Sequence, residues 1–317
     1  MVRPSPLYQS FRKRVEAYAR ELPRLGRGSI GALHRTRVAT RRLRELFRLV
    51  ESDGDGTSRL TRRLRKITRR LGAVRELDVL RSLVQEYQED GRYSRAALSV
   101  IGAAIDQARD DARNRLAARL STLQMEGLAD KLEAAFKPFE RDAVSLRGPG
   151  VKGSRSARLW ALQVNVARRA DGVQEAIERA GTVYAPQHLH EVRIALKKLR
   201  YAAELLEEAG RRRLAADIAV LKTVQDLLGR LHDLEVLIAW VRESQASLSP
   251  PDLNMWRELA SLSQALEEEC RQLHASFVCD RTKLVAMTTR MRGAASEAEP
   301  RESRSQPVPT RPTTARA

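Results

Sequence analysis

Two short runs in this chain place the same chemistry at the same spacing. The first is Leu33-His34-Arg35-Thr36-Arg37-Val38-Ala39-Thr40-Arg41-Arg42-Leu43-Arg44. The second is Leu189-His190-Glu191-Val192-Arg193-Ile194-Ala195-Leu196-Lys197-Lys198-Leu199-Arg200. Both carry Leu, His, Arg, Ala, two adjacent basic residues, Leu and Arg at the same relative positions, 156 residues apart. At 100° per residue, His34, Arg37, Arg41 and Arg44 fall on one side of a helix, as do His190, Arg193, Lys197 and Arg200. A row of fixed cations beside a titratable donor suits a polyanion. Arginine, with its planar donor fork, suits phosphate oxygens in particular.

A second pair of blocks follows in the same order. Leu64-Arg65-Lys66-Ile67 and Leu71-Gly72-Ala73-Val74-Arg75-Glu76-Leu77-Asp78-Val79-Leu80 recur as Leu221-Lys222-Thr223-Val224 and Leu228-Gly229-Arg230-Leu231-His232-Asp233-Leu234-Glu235-Val236-Leu237, now 157 residues apart. Two ordered blocks at nearly one offset imply an internal duplication with pseudo-two-fold symmetry. On the helix carrying the second block, Arg65, Gly72 and Arg75 share a face, and so do Lys222, Gly229 and His232. The glycines leave room for a neighbouring helix or an anion.

The elements that must hold these residues are helices. The chain has 317 residues, 42% of them hydrophobic but only 4% aromatic, so its core is aliphatic and suits packed helices better than a sheet. Expected helices run from Leu7 to Leu22 (stopped by Pro23 and Gly26), Ile30 to Glu51, Thr57 to about Asp90, Tyr93 to about Gln124 and Gly127 to Ala143. After a Gly/Pro-rich joint at Ser145 to Ser156, helices are expected over Ser156–Ala180, Gln187–Ala209, Arg211 to about Gln245 and Asp252–Val278, with a last one from Arg281 to Met291. The chain from Gly293 to Ala317 has no apolar period and is expected to be disordered.

Charge follows the repeated blocks. The net formal charge is +18, with 32 Lys and Arg against 19 Asp and Glu in residues 1–150, and 26 against 21 in residues 151–317. Residues 33–75 alone hold 14 basic and 4 acidic side chains. The only cysteines, Cys270 and Cys279, lie nine apart, too far to bridge on a straight helix, which points to a reducing compartment. Met1 to Ser10 has no apolar leader, and the longest uncharged runs are too short to span a bilayer. A cytoplasmic location and no membrane contact are expected.

The repeated pattern His-x-x-Arg-x-x-x-(Arg/Lys)-(Arg/Lys)-Leu-Arg, each copy followed by Leu-Gly-x-x-(Arg/His)-(Asp/Glu)-Leu-(Asp/Glu)-Val, resembles the CHAD domain, the conserved-histidine α-helical domain. Lys197-Lys198-Leu199-Arg200-Tyr201 is similar to that family's Lys-x-Leu-Arg-Tyr signature, and Gln225-Asp226-Leu227-Leu228-Gly229-Arg230-Leu231-His232-Asp233 to its Gln-Asp-x-Leu-Gly-x-x-x-Asp block. The likeness covers roughly Leu7 to Val278. It implies an all-α fold of two pseudo-symmetric four-helix bundles forming one CHAD domain over 5–280, with half-repeats at 5–145 and 155–280 and a disordered tail at 293–317. It also implies a central basic cleft that binds inorganic polyphosphate. Many family members accompany a CYTH triphosphatase domain. A stand-alone domain is expected here, because no segment is strand-rich and the only Glu-x-Glu pattern resembling that domain's motif, Glu297 and Glu299 before Arg301, lies in the tail.

The expected polyphosphate-binding set is His34, Arg37, Arg41, Arg42, Arg44, Arg65 and Arg75 from the first half, with His190, Arg193, Lys197, Lys198, Arg200, Lys222 and His232 from the second. The pattern is not perfectly symmetric: Arg75 stands where the second half has His232, and Glu204 stands where the first has Arg48. His34 and His190 would gain charge below a pKa near ~6.5, so binding is expected to strengthen in mild acid. Glu76, Asp78, Asp233 and Glu235 are expected to orient neighbouring arginines rather than to catalyse. His188 and His190 do not share a helix face and no Cys or carboxylate completes a ligand set, so no metal and no cofactor is expected. No Gly-rich phosphate loop precedes a helix, and no enzymatic activity is expected. The rival reading is a nucleic-acid-binding protein gripping the phosphodiester backbone. Against it, the stripes carry almost no aromatics for base stacking beyond Phe47 and Tyr201. Other polyanions remain compatible with the pattern, and attachment to polyphosphate granules is a natural extension.

Overall fold

The computed structural model describes residues 6–50, 55–119, 122–137, 155–209 and 214–296. Helices account for nearly all of them: α1 (Pro6–Gly26), α2 (Ile30–Val50), α3 (Asp55–Asp90), α4 (Arg95–Arg119), α5 (Thr122–Phe136), α6 (Arg155–Ala180), α7 (Pro186–Glu208), α8 (Ala215–Ala246) and α9 (Leu253–Ser296). No strand occurs among the described residues. Most of the joint between the halves and residues 297–317 of the tail lie outside them.

Most successive helices pack on one another, and each half closes on itself. In the second half α6, α7, α8 and α9 form a ring, with α9 returning to pack on α6. In the first half α1, α2, α3 and α4 repeat that order, and α5 returns to α1. The α4–α5 pair thus occupies the place of the single long helix α9. Across the pseudo-two-fold, α2 meets α7 and α3 meets α8.

Burial explains why this is one domain. A single apolar cluster contains Phe11 of α1, Leu43 of α2, Leu71 of α3, Leu128 of α5, Val166 of α6, Leu196 of α7, Leu228 of α8 and Leu284 of α9. A second cluster joins Leu80 and Leu83 of α3 and Ile101 of α4 to Leu234 and Leu237 of α8 and Leu259 of α9. Neither half buries its apolar face alone. The core is aliphatic in the main. It includes a small aromatic knot in the first half, where Phe11 stacks on Phe136 and Phe47 meets both edge-on.

Several boundaries differ from the sequence reading; α4 ends at Arg119 rather than about Gln124, and α5 already begins at Thr122 rather than Gly127. Pro23 does not stop α1, which continues to Gly26. The stop comes where the amides of Gly28 and Ser29 turn back to the carbonyls of Leu25 and Arg24, with Gly28 at a φ of 77° that favours glycine. The expected pair of helices after Asp252 is one helix, which passes Val278 without a break and still runs through Gly293. Its later turns bury Leu284, Met287 and Met291 in the main core, so the second half extends past residue 280. The apolar period continues across the polar stretch, and burial of those three side chains decides the matter.

Candidate functional site

A cleft of about 560 Å³ opens where the two halves meet, walled by α2, α3, α7 and α8. From α2 come His34, Arg37 and Arg41; from α3, Gly72, Arg75 and Glu76. The partner helices contribute Arg193, Lys197, Arg200 and Tyr201 from α7, and Gln225, Asp226, Gly229, Arg230, His232 and Asp233 from α8. Six arginines and a lysine therefore face three carboxylates. Duplication supplies the arrangement, since Arg37 and Arg193 hold equivalent positions, as do Arg41 and Lys197, and Arg75 and His232.

One arginine of each stripe rests on a glycine of the next helix. A Cβ built at Gly72 would lie 3.4 Å from Nε of Arg37, and one at Gly229 would lie 3.8 Å from Nε of Arg193. The missing side chains make room for the neighbouring helix's arginine shaft, whose guanidinium then projects into the cleft. The Nε atoms of Arg37, Arg193 and Arg200 are buried without a hydrogen-bond partner. Among the described residues, Arg37, Arg41, Arg75, Arg193 and Lys197 make no ion pair within 4 Å, unlike most arginines elsewhere on the molecule. Arg41 and Arg200 both lie over the ring of the buried Tyr201, at 5.6 and 5.1 Å.

Crowding like charges in a partly dry site disfavours the charged forms. Burial, then the charges of Arg193, Arg41 and Arg37, brings Lys197 down to about 6. Burial and the neighbouring Arg41 bring Arg37 down to about 10. Burial lowers Arg193 too, against the pull of Asp233. His232 falls to about 4, through burial and then Arg193, and its ring sits 4.6 Å from that of His190. His34 and His190 are also lowered, first by burial and then by Arg75 for one and Arg193 for the other. Burial pushes the Asp233 carboxyl up, against the pull of Arg193 and Lys197. The histidines are therefore neutral near pH 7, and the expectation that they titrate near ~6.5 is corrected.

Eight of the fourteen sequence-derived residues line the cleft: His34, Arg37, Arg41, Arg75, Arg193, Lys197, Arg200 and His232. The other six lie elsewhere. Arg42 pairs with Glu204 of α7 at 3.0 Å, while Arg44 lies 3.9 Å from Glu45. His190 packs behind His232. Lys198 lines a separate groove between α6 and α7. Arg65 and Lys222 are exposed and about 10 Å along the helix axis from the glycines, so sharing a helical face did not bring them into the cleft. Glu204, where the first half has Arg48, ties Arg42 of one half to Arg200 of the other.

The acidic residues divide. Asp78 pairs with Arg113 at 3.4 Å, as expected of an orienting carboxylate. Glu235 instead accepts a hydrogen bond from Tyr184 at 2.9 Å, while Glu76 and Asp233 face the cleft. Sequence reasoning missed Arg230, which reaches the cleft while bridging Glu86 at 2.8 Å and Glu269 at 3.1 Å. Its counterpart in the first half is Ala73, so the repeat gave no signal for it. Among the described residues, no group of three or more His, Cys, Asp or Glu is arranged to hold a metal, and no helix is long and apolar enough to cross a membrane.

A duplicated all-helical bundle with a cationic cleft on its pseudo-two-fold defines a recognisable class. The CHAD-domain family model matches residues 9–242, most of the chain, and the chain belongs to the CHAD family. Two solved structures share the fold. PptA from Streptomyces chartreusis matches with a TM-score of 0.59 and 17% identity, over 93% of this chain and 99% of its own. The CHAD domain from the plant Ricinus communis matches with a TM-score of 0.55 and 19% identity, over 93% of each chain. Among curated proteins, none matches the chain in sequence.

Proposed function

We propose that this protein binds inorganic polyphosphate in the cleft between its halves, without catalysis. The observation that carries the reading is that Arg37, Arg41, Arg75 and Arg193, from three helices, converge on one cavity with no ion pair of their own among the described residues. Unpaired guanidinium groups in a partly dehydrated site are costly to keep unless an anion completes them. Polyphosphate offers a dense row of oxyanions and no bases, so a track of cations is the whole requirement. Membership of the CHAD family, with the polyphosphate association it implies, supports the same ligand.

Nucleic acid is the weaker reading. Phe47 is fully buried and Tyr201 nearly so, so neither offers a face on which a base stacks. We propose a location in the cytoplasm, with attachment to polyphosphate granules as an extension of the proposed ligand.

A competition titration at physiological salt tests the reading. Labelled long-chain polyphosphate is displaced by unlabelled polyphosphate, single-stranded DNA, RNA or heparin matched by charge. Polyphosphate is expected to compete best, and Arg37→Ala with Arg193→Ala to abolish binding without lowering the melting temperature. Equal competition by all four, with affinity collapsing at modest added salt, would return nucleic acid as the leading partner.

A further inference from the structure

A second groove, of about 310 Å³, runs along the outer side of α2 against α1. It is not separate from the cleft, because His34 and Val38 line both. Its surface includes Ala17, Val38 and Ala39, side chains too small to block an extended chain. Arg20 and Arg35 stand along it beside Arg42. Helix α2 thus offers two cationic rows: Arg37 and Arg41 toward the cleft, and Arg35 and Arg42, seven residues apart, toward the groove. Arg35 is held by Glu21 at 2.8 Å and Arg42 by Glu204 at 3.0 Å, whereas Arg20 is exposed and makes no ion pair among the described residues.

The second half does not repeat this continuity. The equivalent groove between α6 and α7 shares no lining residue with the cleft. Glu191 stands there at the position of Arg35, pairing with Arg179 at 3.4 Å. His190, the counterpart of His34, turns against His232 instead of bridging cleft and groove.

From this asymmetry we propose that the anion track continues past the cleft in one direction only, over the His34–Val38 rim into the α1–α2 groove, where a long polyphosphate chain makes further contacts. The proposal rests on the cleft being the primary polyphosphate site. A short oligophosphate occupies the cleft, where the cations are densest. A longer chain leaves over α2 rather than α7, and gains affinity with length until the groove is filled.

The test uses the full chain with two probes, tripolyphosphate and long-chain polyphosphate. Two variants place a carboxylate in the groove, Ala17→Glu and Arg20→Glu. Both positions are exposed on α1 and outside the cleft. Each variant is expected to weaken long-chain affinity severalfold and to lower the salt slope by about 1 for each phosphate that the groove no longer holds. Tripolyphosphate affinity is expected to stay at the wild-type value. Unchanged long-chain binding in both variants overturns the proposal, as does a parallel loss of tripolyphosphate binding. Wild-type protein that binds neither probe instead marks failure of the polyphosphate reading itself. A wild type that binds both, alongside an Arg37→Ala/Arg193→Ala protein that binds neither, leaves the cleft in place whatever the groove variants do.

Discussion

Lys197 is the residue whose environment most alters its chemistry. In free solution its amine is protonated far above neutrality; here burial beside three arginines brings it to about 6. A polyanion in the cleft reverses that balance and raises its pKa, so binding takes up a proton. Affinity is therefore expected to rise as pH falls toward about 6, the free-state value, and to gain nothing more from this group below it. Calorimetric titration in buffers of different ionisation enthalpy counts the proton, and Lys197→Arg should abolish the uptake while keeping the affinity. The linkage also acts on stability. Because the folded pKa lies below the unfolded one, lowering the pH from about 10 toward 6 protonates the unfolded chain preferentially and destabilises the fold. Lys197→Met is accordingly expected to raise the melting temperature while weakening polyphosphate binding. A Tm that falls in this variant would show that the amine is a structural contact.

At the scale of elements, Gly72 beneath Arg37 and Gly229 beneath Arg193 make room for the neighbouring helix's arginine. The room at Gly229 accommodates a methyl group in ordinary contact with Arg193. Gly229→Ala is therefore expected to stabilise α8 by up to about 1 kcal/mol through helix propensity, with binding retained. Gly229→Leu would displace the guanidinium and weaken polyanion affinity several-fold with little change in helicity. Equal binding by the two variants would mean that the arginine does not need its seat. The sequence revealed these glycines and arginines as repeated pairs, 157 and 156 residues apart. It did not reveal that the two act on each other, because they sit on different helices and their contact depends on helix packing. Arg65 and Lys222 show the opposite error. They share a helical face with the glycines, but a face is a stripe along the axis and the cleft covers only part of it.

The whole molecule behaves as one body because its cores are shared. Leu80, Leu83 and Ile101 bury themselves against Leu234, Leu237 and Leu259 of the other half. A protease site engineered between residues 145 and 150 should therefore yield two fragments that co-elute on size exclusion and still bind polyphosphate. Separation into soluble halves would contradict the shared core. Net charge acts at this scale as well. The first half carries the larger cationic excess, and the α1–α2 groove that joins the cleft lies on that side.

The sequence by itself determined the helical class, the duplication and the order of the helices, because hydrophobic period, glycine and proline punctuation and repeated blocks are local properties of a chain. It also determined that Arg37, Arg41, Arg193 and Lys197 share a chemistry. Tertiary structure decided which cations stay unpaired. Arg42 and Arg230 are arginines like the others, yet Glu204 ties the first, and Glu86 and Glu269 the second, each from another helix. Tertiary structure also decided that the histidines are neutral and that Lys197 titrates near neutrality. Desolvation and like-charge crowding depend on how many helices close around a group, and no spacing along the chain encodes that number.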